Sequence, residues 1–137
     1  SFCIGTYLMK RKQLQQIVEH TSEYWPTDIE VAYWFRFFSK EVFENQLRYS
    51  PDRVFIKRLN GSWGYVEDND RDPTYWEMYL NLYYPDKKRF LEIVAHEMIH
   101  CWQAENLKPN TYADHGRSFF QFKAKLAKLG IELHRKY

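Results

Sequence analysis

The residues best suited to chemistry lie in one short run, His96-Glu97-Met98-Ile99-His100. Residues four apart in an α-helix lie on the same face, so His96 and His100 can present two imidazole nitrogens to one metal ion. Glu97 is one position beyond the first histidine and can reach a water bound to that metal as a general base. The run therefore predicts a helical zinc site in which Glu97 activates water.

The flanking residues predict the helix that must hold this motif. Apolar side chains recur at helical spacing from Phe90 to Trp102 and form one broad face, with both histidines away from its centre. Asp86 is placed to cap the start of the helix. We therefore expect the apolar face to pack against the core and the histidines to face a cleft.

The third ligand is less obvious, because catalytic zinc usually takes three protein ligands and leaves a fourth position open. Gln103 and Asn106 stand where a HExxHxxGxxH motif has Gly and His, which excludes that class of site. A glutamate from a following helix is an alternative. Glu105 lies on the wrong side of the metal helix, and Glu132 follows a glycine stop at the far end of the next helix.

His115 is the better candidate for the third ligand. It follows His100 across a loop that is long enough to turn back, and it lies at the predicted start of the next helix. Gly116 beside it lacks the Cβ that would hinder a close approach. We expect His96, His100 and His115 to converge on one metal ion.

Composition limits the class of protein. The chain has 137 residues, of which 45% are hydrophobic and 19% aromatic, so we expect one folded domain. A net charge of +2 is too small to indicate nucleic-acid binding. Two cysteines, Cys3 and Cys101, cannot form a disulfide framework or a four-cysteine zinc site. Without a signal segment or an apolar run of membrane-spanning length, a soluble intracellular protein is expected.

Two N-terminal helices are predicted before the metal helix. The first runs from Met9 to about His20, on the spacing of its apolar residues. The second begins after Thr27, which forms a capping box with Glu30, and runs to about Leu47. Its many large aromatic side chains predict a core helix.

A three-stranded antiparallel sheet is predicted between these helices and the metal helix. Arg53–Leu59 and Ser62–Val66 are rich in β-branched and aromatic residues, and Asn60-Gly61 between them favours a hairpin turn. Tyr75–Tyr83 alternates between apolar and polar residues, which predicts a third strand. Together they predict a small antiparallel meander.

The C-terminal part predicts one more helix, from His115 to Leu129, stopped by Gly130. The tail from Arg135 to Tyr137 is expected to fray. The expected fold class is therefore α+β: residues 1–137 form a small single domain with N-terminal helices, an antiparallel sheet, the metal helix and a C-terminal helix.

The HExxH run, followed by His115-Gly116-Arg117-Ser118-Phe119, resembles the HExxH…HGxxF signature of SprT-like (Spartan-related) zinc metalloproteases. The likeness covers most of the chain, roughly residues 25 to 130. Upstream it includes the aromatic helix Trp34 to Phe43, the segment Leu59 to Gly64, and the strand residues Leu80-Asn81-Leu82.

This resemblance implies a zincin-like fold, with zinc held by His96, His100 and His115 and with Glu97 as the base. It also implies proteolysis of DNA-bound or DNA-crosslinked proteins, often stimulated by DNA. Bacterial members often carry a cysteine-rich zinc ribbon after the catalytic part, which two cysteines cannot supply, so the resemblance does not extend to DNA targeting by such a module.

Further partners and roles follow from single residues. Lys87, Lys88 and Arg89 crowd the first turn of the metal helix, where the helix dipole disfavours cations, so they are candidates for binding an anion such as DNA. Tyr112 and Arg117 flank His115 and are candidate donors to the oxyanion of a tetrahedral intermediate. We expect a monomer with a protein or peptide substrate and no membrane partner.

Two rival functions remain open from the sequence. In the first, the zinc is structural, or the protein is a DNA-binding or interaction module with little protease activity. A structural site normally has four protein ligands, and Cys101, the neighbour of His100, points about 100° away around the helix. In the second, the protein is a metal-dependent hydrolase of non-peptide substrates.

Overall fold

The computed structural model describes residues 23–69, 71, 72 and 74–137. The helix predicted over Met9–His20 lies outside these residues. The described part is a small α+β fold in which helices pack on a three-stranded mixed sheet. None of its helices combines the length and apolar character needed to cross a membrane.

The first described helix, α1, spans Asp28–Glu41, and its predicted capping box is confirmed. Thr27 Oγ1 accepts a hydrogen bond from the Glu30 amide at 3.2 Å, and the Glu30 carboxylate accepts one from the Thr27 amide at 3.3 Å. The helix ends before the predicted Leu47, because residues 44 and 45 adopt positive φ angles of 52° and 59° and turn the chain away. Its buried face consists of Val31, Trp34, Phe35, Phe37 and Phe38.

The sheet differs from the predicted antiparallel meander, which is wrong in its topology. Its strands are β1 (Val54–Ile56), β2 (Gly64–Asp68) and β3 (Trp76–Leu80), in the spatial order β1-β3-β2. β3 pairs in parallel with β1 and antiparallel with β2. Its inward side chains have no exposed surface, so β3 takes the central position, where both of its edges are paired.

The predicted hairpin at Asn60-Gly61 is therefore wrong, although the chain does turn there and Gly61 has a positive φ of 74°. The segment between β1 and β2 instead crosses the end of β3. Asn81 holds it there, with its backbone N–H donating to the Trp63 carbonyl at 3.0 Å and its side-chain oxygen accepting from the Leu59 amide at 3.0 Å. A turn signal fixes a reversal of the chain but does not fix which strands pair.

The helix that carries the HExxH run, α2, spans Lys87–Asn106. Its predicted cap is confirmed, since Asp86 Oδ1 accepts from the Arg89 amide at 2.7 Å. The helix lies close against β2: a Cβ at Gly64 would stand 3.0 Å from Ile93 Cγ2 and 3.1 Å from the Tyr79 carbonyl oxygen. Glycine at this position allows the strand edge to approach the metal helix.

The predicted C-terminal helix is divided into α3 (Arg117–Phe120) and α4 (Lys123–Lys128). The division lets two rings pack in different places. Phe119 lies against the histidines, and Phe122 packs against the rings of Phe43 and Trp102 at 4.8 and 5.1 Å. Gly130, with a φ of 79°, follows the last turn as predicted.

Candidate metal centre

Three histidines converge where α2 passes the segment that leads into α3. His96 Nε2 lies 3.2 Å from His100 Nε2 and 3.3 Å from His115 Nε2. The candidate ligand atoms of the three residues all lie within 4.8 Å of one another. The ring of Phe119 packs against all three imidazoles, with centroid distances of 4.8, 5.2 and 4.8 Å. The structure thus brings together the three residues that the sequence singled out.

The surroundings of these histidines keep their imidazoles neutral. Burial, together with the proximity of His100 and His115, lowers the pKa of His96 to about 3. Burial also lowers the pKa values of His100 and His115. Neutral imidazoles offer free nitrogen lone pairs, which is the form that binds a divalent metal ion. The donor set therefore fits zinc, which favours histidine nitrogen.

His100 is oriented by Gln103, a residue whose role the sequence analysis missed. His100 Nδ1–H donates to Gln103 Oε1 at 2.8 Å, which directs Nε2 to the other histidines. The Gln103 amide nitrogen donates to the Asp114 carbonyl at 3.0 Å and to Ser118 Oγ at 2.9 Å. With only 1% of its surface exposed, Gln103 joins α2 to the segment that carries His115.

His96 is oriented by the C-terminal tail. The tail was predicted to fray, and this prediction is wrong because the tail packs against His96. His96 Nδ1–H donates to the His134 carbonyl at 3.0 Å. The Tyr137 ring lies 5.2 Å from the His96 ring, and its hydroxyl accepts from the His134 amide at 3.1 Å. Ile131 and Leu133 are buried and anchor the tail. Their alternation with polar residues was the available sequence signal.

Glu97 lies beside the histidine cluster and is almost fully buried, with 6% of its surface exposed. Its Oε2 is 3.9 Å from His96 Nε2. Burial raises the pKa of the Glu97 carboxyl to about 8. A carboxyl group in such surroundings holds a proton more readily than one in water, which suits it to proton transfer near neutral pH.

The cluster opens into a cleft of about 1040 Å³. Glu97 and the three histidines line it, and so does Tyr112, one of the two candidate oxyanion donors. Arg117, the other candidate, is exposed on α3 and is not among the described residues that line the cleft. The structure therefore places Tyr112, and not Arg117, on the wall of the cleft that contains the histidines.

Strand β2 forms one wall of this cleft, and its other edge has no partner strand among the residues that the structure describes. Trp63 accepts from the Asn81 amide, and the Asn69 amide donates to the Tyr75 carbonyl, so the odd-numbered residues of this segment bond to β3. The direction of the backbone N–H and C=O groups alternates along an antiparallel strand, so the even-numbered residues of β2 direct these groups away from β3. At Gly64 these groups are already hydrogen-bonded, because Ser62 Oγ donates to the Gly64 carbonyl and accepts from the Gly64 N–H. Within the described part of the chain, the outward N–H and C=O groups of β2 that remain for an added strand are those of Val66 and Asp68.

The alternative glutamate ligands lie away from the histidine cluster. Glu105 accepts from Trp76 Nε1 and from the Arg48 amide, both at 2.6 Å. Glu132 pairs with His134 Nε2 at 3.0 Å and with Lys88 at 3.8 Å. Neither carboxylate is in the group of metal-ligating atoms formed by the three histidines.

The basic run at the start of α2 is offset by acidic partners. Lys87 pairs with Glu30 at 3.7 Å, Lys88 with Glu132 at 3.8 Å, and Arg89 with Glu92 at 3.6 Å. The predicted interaction of this run with DNA would have to compete with these ion pairs.

Comparison of the chain with protein-family models found no match, and comparison with curated proteins found none either. The chemistry of the site is therefore inferred from its geometry and its sequence pattern.

Proposed function

We propose that the protein is a zinc-dependent endopeptidase of the SprT-like kind. The observation that carries this proposal is the convergence of three neutral imidazoles, His96, His100 and His115, beside the buried carboxyl of Glu97 in an open cleft. This is the donor set of a hydrolytic zinc site, with three protein ligands, a base and access for substrate.

The residues present fit a catalytic zinc ion better than a structural one. Among the described residues the histidine group contains no fourth ligand. Cys101, next to His100 in sequence, is fully buried in the core, and burial raises the pKa of its thiol well above the usual range. When bound, zinc would supply a Lewis acid that polarises a carbonyl and lowers the pKa of water.

The chain's own residues would divide the remaining work. Glu97 accepts the proton of the attacking water and passes it to the nitrogen of the leaving amine. Gln103 and the His134 carbonyl keep His100 and His96 in the ligating tautomer and orientation. The Tyr112 hydroxyl is the candidate donor to the oxyanion that develops on the scissile carbonyl.

The free edge of β2 supports a peptide as the substrate class. An extended peptide can add to such an edge through main-chain hydrogen bonds, in the way that strands pair in a sheet. The peptide groups of Val66 and Asp68 are the available partners on the wall of the cleft. A metal-dependent hydrolase of small non-peptide substrates has no need of this edge.

DNA-associated proteins are the substrates that the resemblance to SprT-like proteases suggests, and we keep them in the proposal. Affinity for DNA that depends on phosphate contacts falls steeply as salt is added. Two results would remove DNA-associated substrates from the proposal and leave the peptidase intact. One is binding of a DNA oligonucleotide that does not weaken as salt is added, and the other is no stimulation of hydrolysis by DNA at any salt concentration.

The peptidase proposal is tested by hydrolysis of an unstructured protein with the zinc-loaded wild type, Glu97→Gln and Glu132→Gln. Glu97→Gln removes the proton acceptor while keeping the side-chain shape, so hydrolysis should fall by about 10²–10⁴-fold with zinc retained. Glu132→Gln is the matched control, since this exposed residue lies outside the cleft, and its activity should equal that of the wild type. Equal rates for all three proteins would refute the role of Glu97.

A further inference from the structure

Two large aromatic side chains are exposed at one end of the cleft. Trp25 is 58% exposed and Tyr83 is 42% exposed. Their rings stack with centroids 5.3 Å apart, and the ring of Trp63 meets Tyr83 edge-on at 6.1 Å. All three residues line the cleft that contains the histidines. We call Trp25, Trp63 and Tyr83 the aromatic shelf.

The aromatic shelf is held in place by the core beneath it. Tyr24 and Tyr84 exchange two backbone hydrogen bonds of 3.0 and 2.8 Å, which places their neighbours Trp25 and Tyr83 side by side. The buried hydroxyl of Tyr84 donates to the Trp63 carbonyl at 2.7 Å, and the rings of Tyr84 and Trp63 stack at 5.5 Å. The three rings of the shelf are therefore pre-organised, which reduces the entropy lost when a ligand binds.

The position of the aromatic shelf relates it to the free edge of β2. Trp63 immediately precedes Gly64, the first residue of β2. Asp68, at the other end of this strand, also lines the cleft. An extended chain bound along β2 would thus pass the histidines and bring a side chain over the shelf. Exposed rings of this size in a cleft mark a place where apolar groups bind.

The charges of the cleft favour a polypeptide over a nucleic acid. A phosphate backbone needs an excess of positive charge. The described ionisable residues that line this cleft are of both signs, although Glu97, whose pKa burial raises to about 8, carries little negative charge at neutral pH. Of these, Arg58, Arg135 and Lys136 are basic and Asp68, Glu97 and Asp114 are acidic.

We propose that the aromatic shelf is a specificity subsite that binds a large aromatic or aliphatic side chain of an extended polypeptide substrate. This inference rests on the proposed function, because it concerns the same cleft. It adds a substrate preference for polypeptides that carry a bulky apolar residue a few positions from the cleaved bond. That residue lies on the side of the bond that the bound peptide places over Trp63.

The first experiment uses pairs of quenched fluorescent peptides that differ at one position, where one peptide has Phe and the other has Ser. The varied position is moved along the peptide on both sides of the cleaved bond. The wild type should cleave the Phe peptides with a kcat/KM about tenfold higher at the position over the shelf, carried mainly by KM. Trp25→Ala and Tyr83→Ala should reduce this ratio towards one. Phe55→Ala is the matched control, because Phe55 is 40% exposed but does not line the cleft, and it should keep the wild-type ratio.

The second experiment measures binding without turnover, by fluorescence anisotropy of labelled Phe and Ser peptides on the Glu97→Gln variant. Tighter binding of the Phe peptide, lost in Trp25→Ala, supports the shelf even when no peptide is cleaved, and in that case only the peptidase proposal fails. Equal binding and equal cleavage of both peptides would overturn the shelf and leave the peptidase standing. Trp25-dependent binding of a single-stranded oligonucleotide, with none of either peptide, would also overturn it.

Discussion

The side chains of His100 and Gln103 are joined by a hydrogen bond of 2.8 Å from His100 Nδ1–H to Gln103 Oε1. The same buried amide donates to the Asp114 carbonyl and to Ser118 Oγ, on either side of His115. One glutamine thereby fixes the orientation of a candidate ligand on α2 and the position of the segment that brings the third candidate ligand to it. Gln103 is a positioning residue that acts through the histidines.

Replacement of this glutamine should weaken zinc binding. Gln103→Leu removes all three hydrogen bonds, and loss of such an outer contact typically lowers metal affinity by about 10–100-fold. Gln103→Glu keeps an acceptor for His100 but cannot donate to the Asp114 carbonyl, so its loss should be smaller. Zinc affinity is measured by competition with a chelator. Gln121→Leu, which removes an exposed amide without touching a histidine, should match the wild type, and an equal loss there would contradict the role of Gln103.

The C-terminal tail should contribute to the same affinity through His96. A chain ending at Leu133 lacks the carbonyl that accepts from His96 Nδ1, whereas a chain ending at Arg135 retains it. We expect zinc affinity to fall by about tenfold or more in the shorter chain. The longer truncated chain should lose less. Identical affinities for the two truncated chains would show that the His134 carbonyl does not orient the ligand.

The hydroxyl of Tyr84 should stabilise the fold beneath the aromatic shelf. It donates to the Trp63 carbonyl and accepts from the Asn81 amide in a fully buried position. Tyr84→Phe should lower the free energy of unfolding by about 0.5–1.5 kcal/mol, measured by urea denaturation. Tyr83→Phe removes the hydroxyl of an exposed neighbour and should have almost no effect. A Tyr84→Phe variant as stable as the wild type would show that the hydrogen bond between the Asn81 amide and the Trp63 carbonyl satisfies both groups without the hydroxyl.

The zinc-free protein should lose stability in acid through His96. The pKa of His96 is lowered from 6.5 in the unfolded chain to about 3 in the folded protein, chiefly by burial. Above pH 6.5 its imidazole is neutral in both states, so its titration does not change the free energy of unfolding there. Between pH 6.5 and about 3 only the unfolded state gains a proton, which lowers the free energy of unfolding by about 1.4 kcal/mol per pH unit. Urea denaturation with chelator present should therefore show wild type and His96→Gln diverging as the pH falls. Parallel curves would contradict this.

Local signals in the sequence predicted the elements around the site well. The capping box of Thr27 and Glu30, the Asp86 cap and the Gly130 stop each depend on residues a few positions apart, and each is present as predicted. The convergence of His115 with the HExxH histidines was also predicted, because the loop between them is long enough to turn back and Gly116 beside His115 permits a close approach.

The features that the sequence did not predict depend on contacts between distant residues. β3 lies in the centre of the sheet because its inward side chains are fully buried and both of its edges pair with other strands. The turn at Gly61 does not determine this order. The contact between His96 and the His134 carbonyl joins residues 38 positions apart through a backbone atom, which no side-chain pattern records. Gln103 entered the sequence analysis only as the residue that stands where a HExxHxxGxxH motif has Gly, and its position one turn after His100 did not by itself indicate that it would bond to His100.

The central claim is that three histidines hold one zinc ion, and it is tested most directly by elemental analysis of the wild type and of His115→Ala, both purified without chelator. The account predicts about one zinc per chain in the wild type and a clear loss in the variant, because a site with two protein ligands binds zinc much more weakly. Full retention of zinc by His115→Ala would show that another residue is the third ligand. A wild-type protein that holds no zinc, even after reloading, would contradict the account altogether.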